Sequence, residues 1–530
     1  MYKRSIFLVI SVFFFFTGAF AQFMPDPLGI KLVRTLQLVN NLYVDEVDSE
    51  KLTEAAIRAM LRELDPHSSY LNKDEVRAMN EPLQGDFEGI GISFNMVTDT
   101  LYVIEVISGG PAQKVGIMPG DKIIYVNDTL IAGVKMSSEE VVKKLRGPKG
   151  TTVTVKVLRR GVPRLLEFRI VRDKIPIYSI DASYMADDEI GYIRLSRFAA
   201  TSANEFREAE EKLKAKGMKK LILDLTGNGG GILQTATDIA DEFLDNGKLI
   251  VYTEGRAQPR SNFTATSKGQ FEQGDLVVLV DESSASASEI VAGAIQDWDR
   301  GVIVGRRTFG KGLVQRQLPL PDGTMIRLTV ARYYTPSGRC IQRPYKSGDI
   351  EAYNMDFFNR YRKGELLHAD SIHFPDSLKY KTLVNNRTVY GGGGIMPDYF
   401  VPIDTTSLTD LHRDLIAKGI VNRIAIMEVD NRRNSLLKAY PDVDAFKKDY
   451  SIPADMVTKM KQMAEEEKVE WDEEEFERSE KLLFTQLKAL IARDIYDSSA
   501  YFKIINDENE IFQEGLRIIK TPEKYNDLLM

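Results

Sequence analysis

Apolar positions take four textures in turn along this chain. From Leu28 to Leu64 they recur at helical spacing, with Ile30, Val33, Leu36 and Leu38 followed by Leu52, Ala56, Met60 and Leu64 among charged residues. This predicts two or three helices, ended at Pro66 within Leu64-Asp-Pro-His-Ser-Ser-Tyr70. From Gly85 to Asp173 short β-branched runs predict strands over 89–94, 101–106, 122–126, 152–158 and 165–170. One helix interrupts them at 137–145, opened by Ser137 and Glu140 in capping-box spacing. The result is a small, partly open β domain. After Lys174-Ile-Pro176 strands (190–195, 220–224, 276–280) alternate with helices (203–214, 232–244, 289–298), predicting an α/β layered core. A strand at 325–331, beyond Pro321-Asp322-Gly323, adds an antiparallel element to it. Beyond Gly391 to Gly394 and Pro397-Asp398 the chain reads as charged helices. Leu483, Leu487, Leu490, Ile491 and Ile495 make an apolar stripe there, and Glu477 faces Lys481 one turn on.

At 530 residues the chain exceeds one core, and roughly 100 to 200 residues per domain implies about three or four domains. A net charge of -7 gives no basic footprint for nucleic acid. Lys3 and Arg4, an apolar run over 6–16 and Thr17-Gly-Ala-Phe-Ala-Gln22 read as a signal peptide cleaved after Ala21. The run is shorter than the roughly 20 residues of a spanning helix, and no later segment is long and apolar enough. The expectation is therefore an exported protein of the periplasm or cell envelope with no stable membrane span. The single cysteine, Cys340, allows no internal disulfide. Arg339 and Arg343 beside it suggest a solvated strand edge more than a nucleophile's setting. His67 has no second ligand at metal spacing, so it reads as structural, and neither metal nor cofactor is expected.

The chemistry concentrates at Asp281-Glu-Ser-Ser-Ala-Ser-Ala-Ser-Glu-Ile290. A strand ends at Asp281 and a helix begins near Ser286, where free N–H groups and the helix dipole favour negative charge. Taken alone, Ser286-x-x-Glu289 is a capping box with no need of catalysis. Lys311, between Gly310 and Gly312, changes that weighing. An ordinary lysine, with pKa about 10.4, is protonated at neutral pH, but burial disfavours its charge. A desolvated Lys311 can then take the Ser286 proton and return it to a leaving amine. The run Asp224-Leu-Thr-Gly-Asn-Gly-Gly-Gly231 follows another strand, so Gly229 or Gly230 N–H could join Ala287 N–H in an oxyanion hole. It lacks the pattern of a phosphate-binding loop.

Two resemblances follow. Gly89-Ile90-Gly91-Ile92, Gly109-Gly-Pro-Ala112 and Gly116-Ile-Met-Pro-Gly-Asp121 resemble a PDZ domain. This implies that a peptide C-terminus adds a strand, its carboxylate held by backbone N–H groups at Gly89, Ile90, Gly91 and Ile92. Ser284-Ala-Ser-Ala-Ser-Glu-Ile290, Gln296-Asp297, Thr308-Phe-Gly-Lys-Gly312, Gln315 and Arg332-Tyr-Tyr-Thr-Pro-Ser-Gly338 resemble the carboxyl-terminal processing, or tail-specific, peptidases. That likeness runs from Leu64-Asp-Pro-His-Ser68 to Gly394-Ile-Met-Pro-Asp398. It implies a crotonase-like core, with Ser286 as nucleophile, Lys311 as base and Gln315 as its partner. An extended strand would hold Lys311 and Gln315 about 13 Å apart at roughly 3.3 Å per residue, so a helical turn after Gly312 is expected.

The expected organisation is a signal peptide (1–21), a helical N-terminal region (22–84), a PDZ-like domain (85–173), a serine peptidase core (174–404) and a helical C-terminal extension (405–530). The extension lies outside the resemblance; packing on the core, self-association as a homo-oligomer and partner docking are all open to it. The leading function is a metal-independent serine endopeptidase acting on unstructured or C-terminal segments of proteins. The rivals are a catalytically silent peptide-binding or chaperone-like envelope protein, and a hydratase or thioesterase, which export disfavours.

Overall fold

The computed structural model describes residues 26–97 and 99–530; the signal-peptide reading falls outside them. Helices Pro27–Leu42 and Ser49–Arg62 lead to a short strand, Ser69–Leu71, and a further helix, Lys73–Gln84. Arg58 staples this region by donating to Tyr70 O (2.9 Å) and Glu75 Oε2 (2.9 Å).

Strands Asp86–Gly89 and Asp173–Pro176 pair as an antiparallel stem, so the β domain leaves and rejoins the chain at one place. Its sheet runs, in spatial order, Ile92–Val97, Thr100–Val106, Lys122–Val126, Thr152–Leu158, Leu166–Val171, with Thr129–Leu130 added to the third. The predicted first strand is thus divided: Gly89 ends the stem and Ile92 begins the sheet. Helix Ser138–Leu145 has the Ser137/Glu140 capping box and buries Val141 and Leu145. Ile92–Val97 remains an unpaired sheet edge facing that helix's groove.

The central sheet has the order Ile180–Met185, Ile190–Leu195, Lys220–Asp224, Leu276–Val280, Val302–Gly305, Tyr399–Phe400. The first pair is antiparallel and the others are parallel. Alternation sends Ile193, Leu223, Val278, Val280 and Ile303 to one face, under helices Ser202–Lys214, Leu233–Asp241 and Ala287–Asp297. Tyr192, Ile222, Val277, Leu279, Val302 and Val304 go to the other face. Helices Glu510–Lys520 and Pro522–Leu529 cover that second face with Ile511, Phe512, Ile518, Ile519 and Tyr525. Contact is close: a Cβ on Gly515 would lie 2.6 Å from Leu279 Cδ2. Tyr525 Oη accepts from Leu276 N (2.9 Å) and lies 3.2 Å from Leu276 O. Residues 510–529 are therefore a layer of the core, so of the roles left open to the extension this part packs on the core.

Met325–Tyr334 is the expected antiparallel element, placed outside the central sheet. It runs through a second sheet, pairing with Ser69–Leu71, Leu249–Gly255 and Leu313–Pro319. The helices from Asp410–Ala417 to Ser498–Ile505 build a separate core around Leu415, Ile420, Phe446, Met460, Leu483, Leu487 and Ile491. The stripe read from the sequence is that core's seam. Lys481, however, pairs with Glu508 (3.0 Å) and not with Glu477. Among the described residues no helix is long and apolar enough to cross a membrane.

Candidate active site

Strand Leu276–Val280 delivers the serine cluster, and neighbouring contacts sort its members. Ser284 is buried, its Oγ bonded to Leu225 O (2.8 Å), and Ser288 is buried with its Oγ on Asn228 O (2.8 Å). Ser283 is exposed. Ser337, further on, donates its N–H to Asp297 Oδ2 (2.9 Å). Ser286 is the member of the cluster that lines a cavity of about 630 Å³. It sits at φ 56° and ψ -110°, left-handed backbone for a residue with a Cβ. Such a conformation costs on the order of 1–3 kcal/mol and recurs where a nucleophile is thrust from a strand-to-helix turn.

Glu289 enforces that conformation and ties it to the lysine loop. Its Oε2 accepts from Ser286 N (2.8 Å) and Lys311 N (2.9 Å), and its Oε1 accepts from Thr308 Oγ1 (2.5 Å) and Gly310 N (2.7 Å). The amides of Ser286 and Lys311 thus share one oxygen. Tyr333 repeats the bridge from the other side, its hydroxyl donating to Ser286 O (3.1 Å) and Lys311 O. Glu289 is completely buried, which pushes its pKa up to about 7 against those hydrogen bonds. The sequence showed Glu289 only as half of a helix cap; its other partners lie 19 to 22 positions downstream.

Lys311 lines the same cavity, and desolvation with help from the Arg327 charge lowers its pKa to about 8, while Glu289 and Asp65 oppose the shift. Its flanking glycines are required by space. A Cβ on Gly312 would meet Gln342 N at 2.8 Å, and Gly310 has φ +85°. His67, beside Lys311, makes a hydrogen bond of 3.0 Å with Tyr353 Oη, and burial lowers its pKa to about 4. This fits the structural reading of His67. Asp65 on the same turn was not singled out from sequence: it is buried, holds His67 N and Ser68 N, and accepts from Thr329 Oγ1 (3.0 Å).

Gln315 departs from expectation. Residues Leu313–Pro319 are a strand, with a register shift opposite Val314 and Gln315, and no helical turn follows Gly312. Pairing along the whole of Met325–Tyr334 overrides the local spacing argument. Gln315 still lines the cavity, but its Nε2 donates to Thr329 Oγ1 (3.3 Å) instead of meeting Lys311.

The glycine loop packs against the serine turn. Asp281 receives Gly227 N (3.0 Å), and Asn228 O receives Ala285 N (3.0 Å). A Cβ on Gly230 would lie 2.8 Å from Ser286 Cβ, so only glycine fits there. Gly230 N–H is already taken by Asn228 Oδ1 (2.9 Å). Among the described residues the N–H groups of Ala287 and Gly229 have no acceptor. The pair left with free donors is therefore Ala287 and Gly229. Behind the helix Arg339 is fully buried, its Nη2 2.7 Å from Asp297 Oδ1. The segment around half-buried Cys340 is thus no solvated edge.

In the β domain, Gly89, Ile90, Gly91 and Ile92 border a groove of about 110 Å³ with Phe94, Val142 and Leu145. Ala112 N donates to Ile90 O (2.8 Å) and Ile107 N to Gly91 O (3.0 Å), fixing the loop's carbonyls inward.

Comparison with known proteins concerns the family and not the individual site residues. Residues 189–352 match peptidase family S41, 89–170 a PDZ domain, and 26–75 the N-terminal domain of the activating protease CtpB. The chain is 39% identical over 309 residues to the carboxy-terminal-processing protease of Bartonella bacilliformis, covering 57% of this chain and 70% of that one. The chain belongs to the carboxy-terminal processing proteases. To a second member of these serine-type peptidases, carboxy-terminal processing protease CtpB of Bacillus subtilis, it is 34% identical over 334 residues, covering 62% of this chain and 68% of the other. A solved photosystem II D1 C-terminal processing protease shares 30% identity, with a TM-score of 0.34, over 59% of this chain and 90% of that one. Residues 411–497 match a family of unknown function.

Proposed function

We propose that this carboxy-terminal processing protease hydrolyses peptide bonds with Ser286 as nucleophile and Lys311 as general base. The observation that carries the reading is the Glu289 carboxylate, one oxygen of which holds the amides of both residues beside one cavity. Neutral Lys311 takes the Ser286 proton as Oγ attacks the carbonyl carbon, and the tetrahedral oxyanion accepts from Ala287 and Gly229 N–H. Lys311 then gives the proton to the leaving amine, and water, deprotonated in turn by Lys311, releases the acyl-enzyme. Gln315 acts through Thr329 and Asp65, which confine the lysine's surroundings, with no direct bond to its amine. The substrate's C-terminal carboxylate sits at Gly89 to Ile92, its last residues pairing with the free edge of Ile92–Val97. The N-terminal segment supports export by a signal peptide cleaved after Ala21.

Ser286→Ala and Lys311→Ala are each expected to lower cleavage of a disordered protein by at least about 10⁴-fold, with unchanged circular dichroism. Fragment mapping by mass checks this. Turnover retained in either variant removes the dyad, and binding of tails without cleavage by the unaltered chain leaves a peptide-binding protein.

A further inference from the structure

We propose that the cavity beside Ser286 binds a carboxylate side chain of the substrate through Arg327 and Arg197, so that the protease selects acidic residues flanking the bond it cuts. The inference rests on the protease reading above. Lys311, Arg197 and Arg327 line the cavity, and no Asp or Glu does. Elsewhere buried and half-buried guanidinium groups have built partners: Arg194 sits on Asp224 (2.6 Å), Arg339 on Asp297 (2.7 Å) and Arg387 on Asp299 (2.7 Å), while Arg172 donates to the carbonyls of Leu145 and Lys144. Among the described residues neither Arg197 nor Arg327 has a carboxylate within 4.0 Å. Arg327 Nη1 lies 4.0 Å from Met79 Sδ, and its Nε is buried without a partner.

A half-buried cation with no carboxylate partner is poorly solvated and gains most from an anion. The planar guanidinium matches a carboxylate with two parallel hydrogen bonds. Arg327 is also rigidly placed, since its strand is paired on both sides, with Ser69 and with Gln317. A substrate's terminal carboxylate is assigned to the groove at Gly89 to Ile92, so the anion that reaches Arg327 is an internal Asp or Glu.

The test uses quenched peptides whose cleaved bond has been mapped, differing only in Asp/Glu or Asn/Gln beside that bond, each with a free or an amidated C-terminus. The full chain is expected to prefer the acidic peptide by roughly tenfold in kcat/KM, the worth of one charged hydrogen bond. Arg327→Gln should bring the ratio near one, Arg197→Gln should reduce it, and Arg327→Lys should keep part of it. A ratio near one in the unaltered chain, or one that survives both glutamine variants, overturns the proposal. Preference lost on amidation but kept on side-chain neutralisation assigns the carboxylate to the chain terminus and overturns it equally. If neither peptide is cut, the protease reading fails, and anisotropy with Ser286→Ala decides the carboxylate site by the same comparison of affinities.

Discussion

The two faces of the central sheet are equally buried and differently built. One face is covered by helices contiguous with the strands they follow, and its edge carries Ser286, Lys311 and the glycine loop. The other is covered by Ile511, Phe512, Ile518 and Ile519, and it presents no chemistry. The first face places strain and buried charge, in Ser286 and Glu289, where a packed apolar surface would be more stable. The second is mostly apolar contact, with the hydroxyls of Tyr525 and Tyr192 satisfied on Leu276 and Asp224. Function and stability are thus divided between the sides of one sheet, with Leu276–Val280 belonging to both.

Glu289→Gln should break that division most strongly. The amide keeps the shape but turns an NH₂ toward two of the four donors, leaving them unsatisfied at about 1–3 kcal/mol each. Activity is expected to fall at least about 100-fold with a loss of several kcal/mol in stability, read from kcat and from denaturant midpoints. Phe512→Ala should sharpen the contrast: a loss of about 3–5 kcal/mol, with kcat per folded molecule unchanged. A kcat that falls with stability there would join the two faces.

The subtlest effect is on pH dependence. In the proposed dyad only neutral Lys311 acts as base, so kcat/KM should rise with pH through about 8, and ionisation of Glu289 near 7 should steepen the lower part of that limb. Because the Arg327 charge lowers the lysine's pKa, Arg327→Gln should move the limb to higher pH, while Asp65→Asn should move it lower. Phe512→Ala should leave it in place.

Much of the first face was legible in the sequence, because strand, turn, serine and helix are contiguous there. Ser286 at a helix start and Lys311 between obligatory glycines are local facts. Glu289 was half legible: the cap at Ser286 is three residues away, whereas Thr308, Gly310 and Lys311 become its partners only when two loops meet. Gln315 was misplaced because four residues suggested a helical turn, yet a paired strand also brings it to the cavity, to bond Thr329. The second face was illegible for the same reason in stronger form. Ile511, Phe512, Gly515, Ile518 and Ile519 have helical spacing, but periodicity names a face without naming what it covers, and Leu279 lies more than two hundred positions earlier.

The hydroxyl of Tyr525 against both polar groups of Leu276 has a consequence in time. Translation produces the serine turn more than two hundred residues before it produces residues 510–529, so the sheet bearing that turn is uncovered on one side until they follow. Until those helices dock, Tyr192, Ile222, Val277 and Leu279 are apolar surface open to water, a face on which an incomplete chain would aggregate.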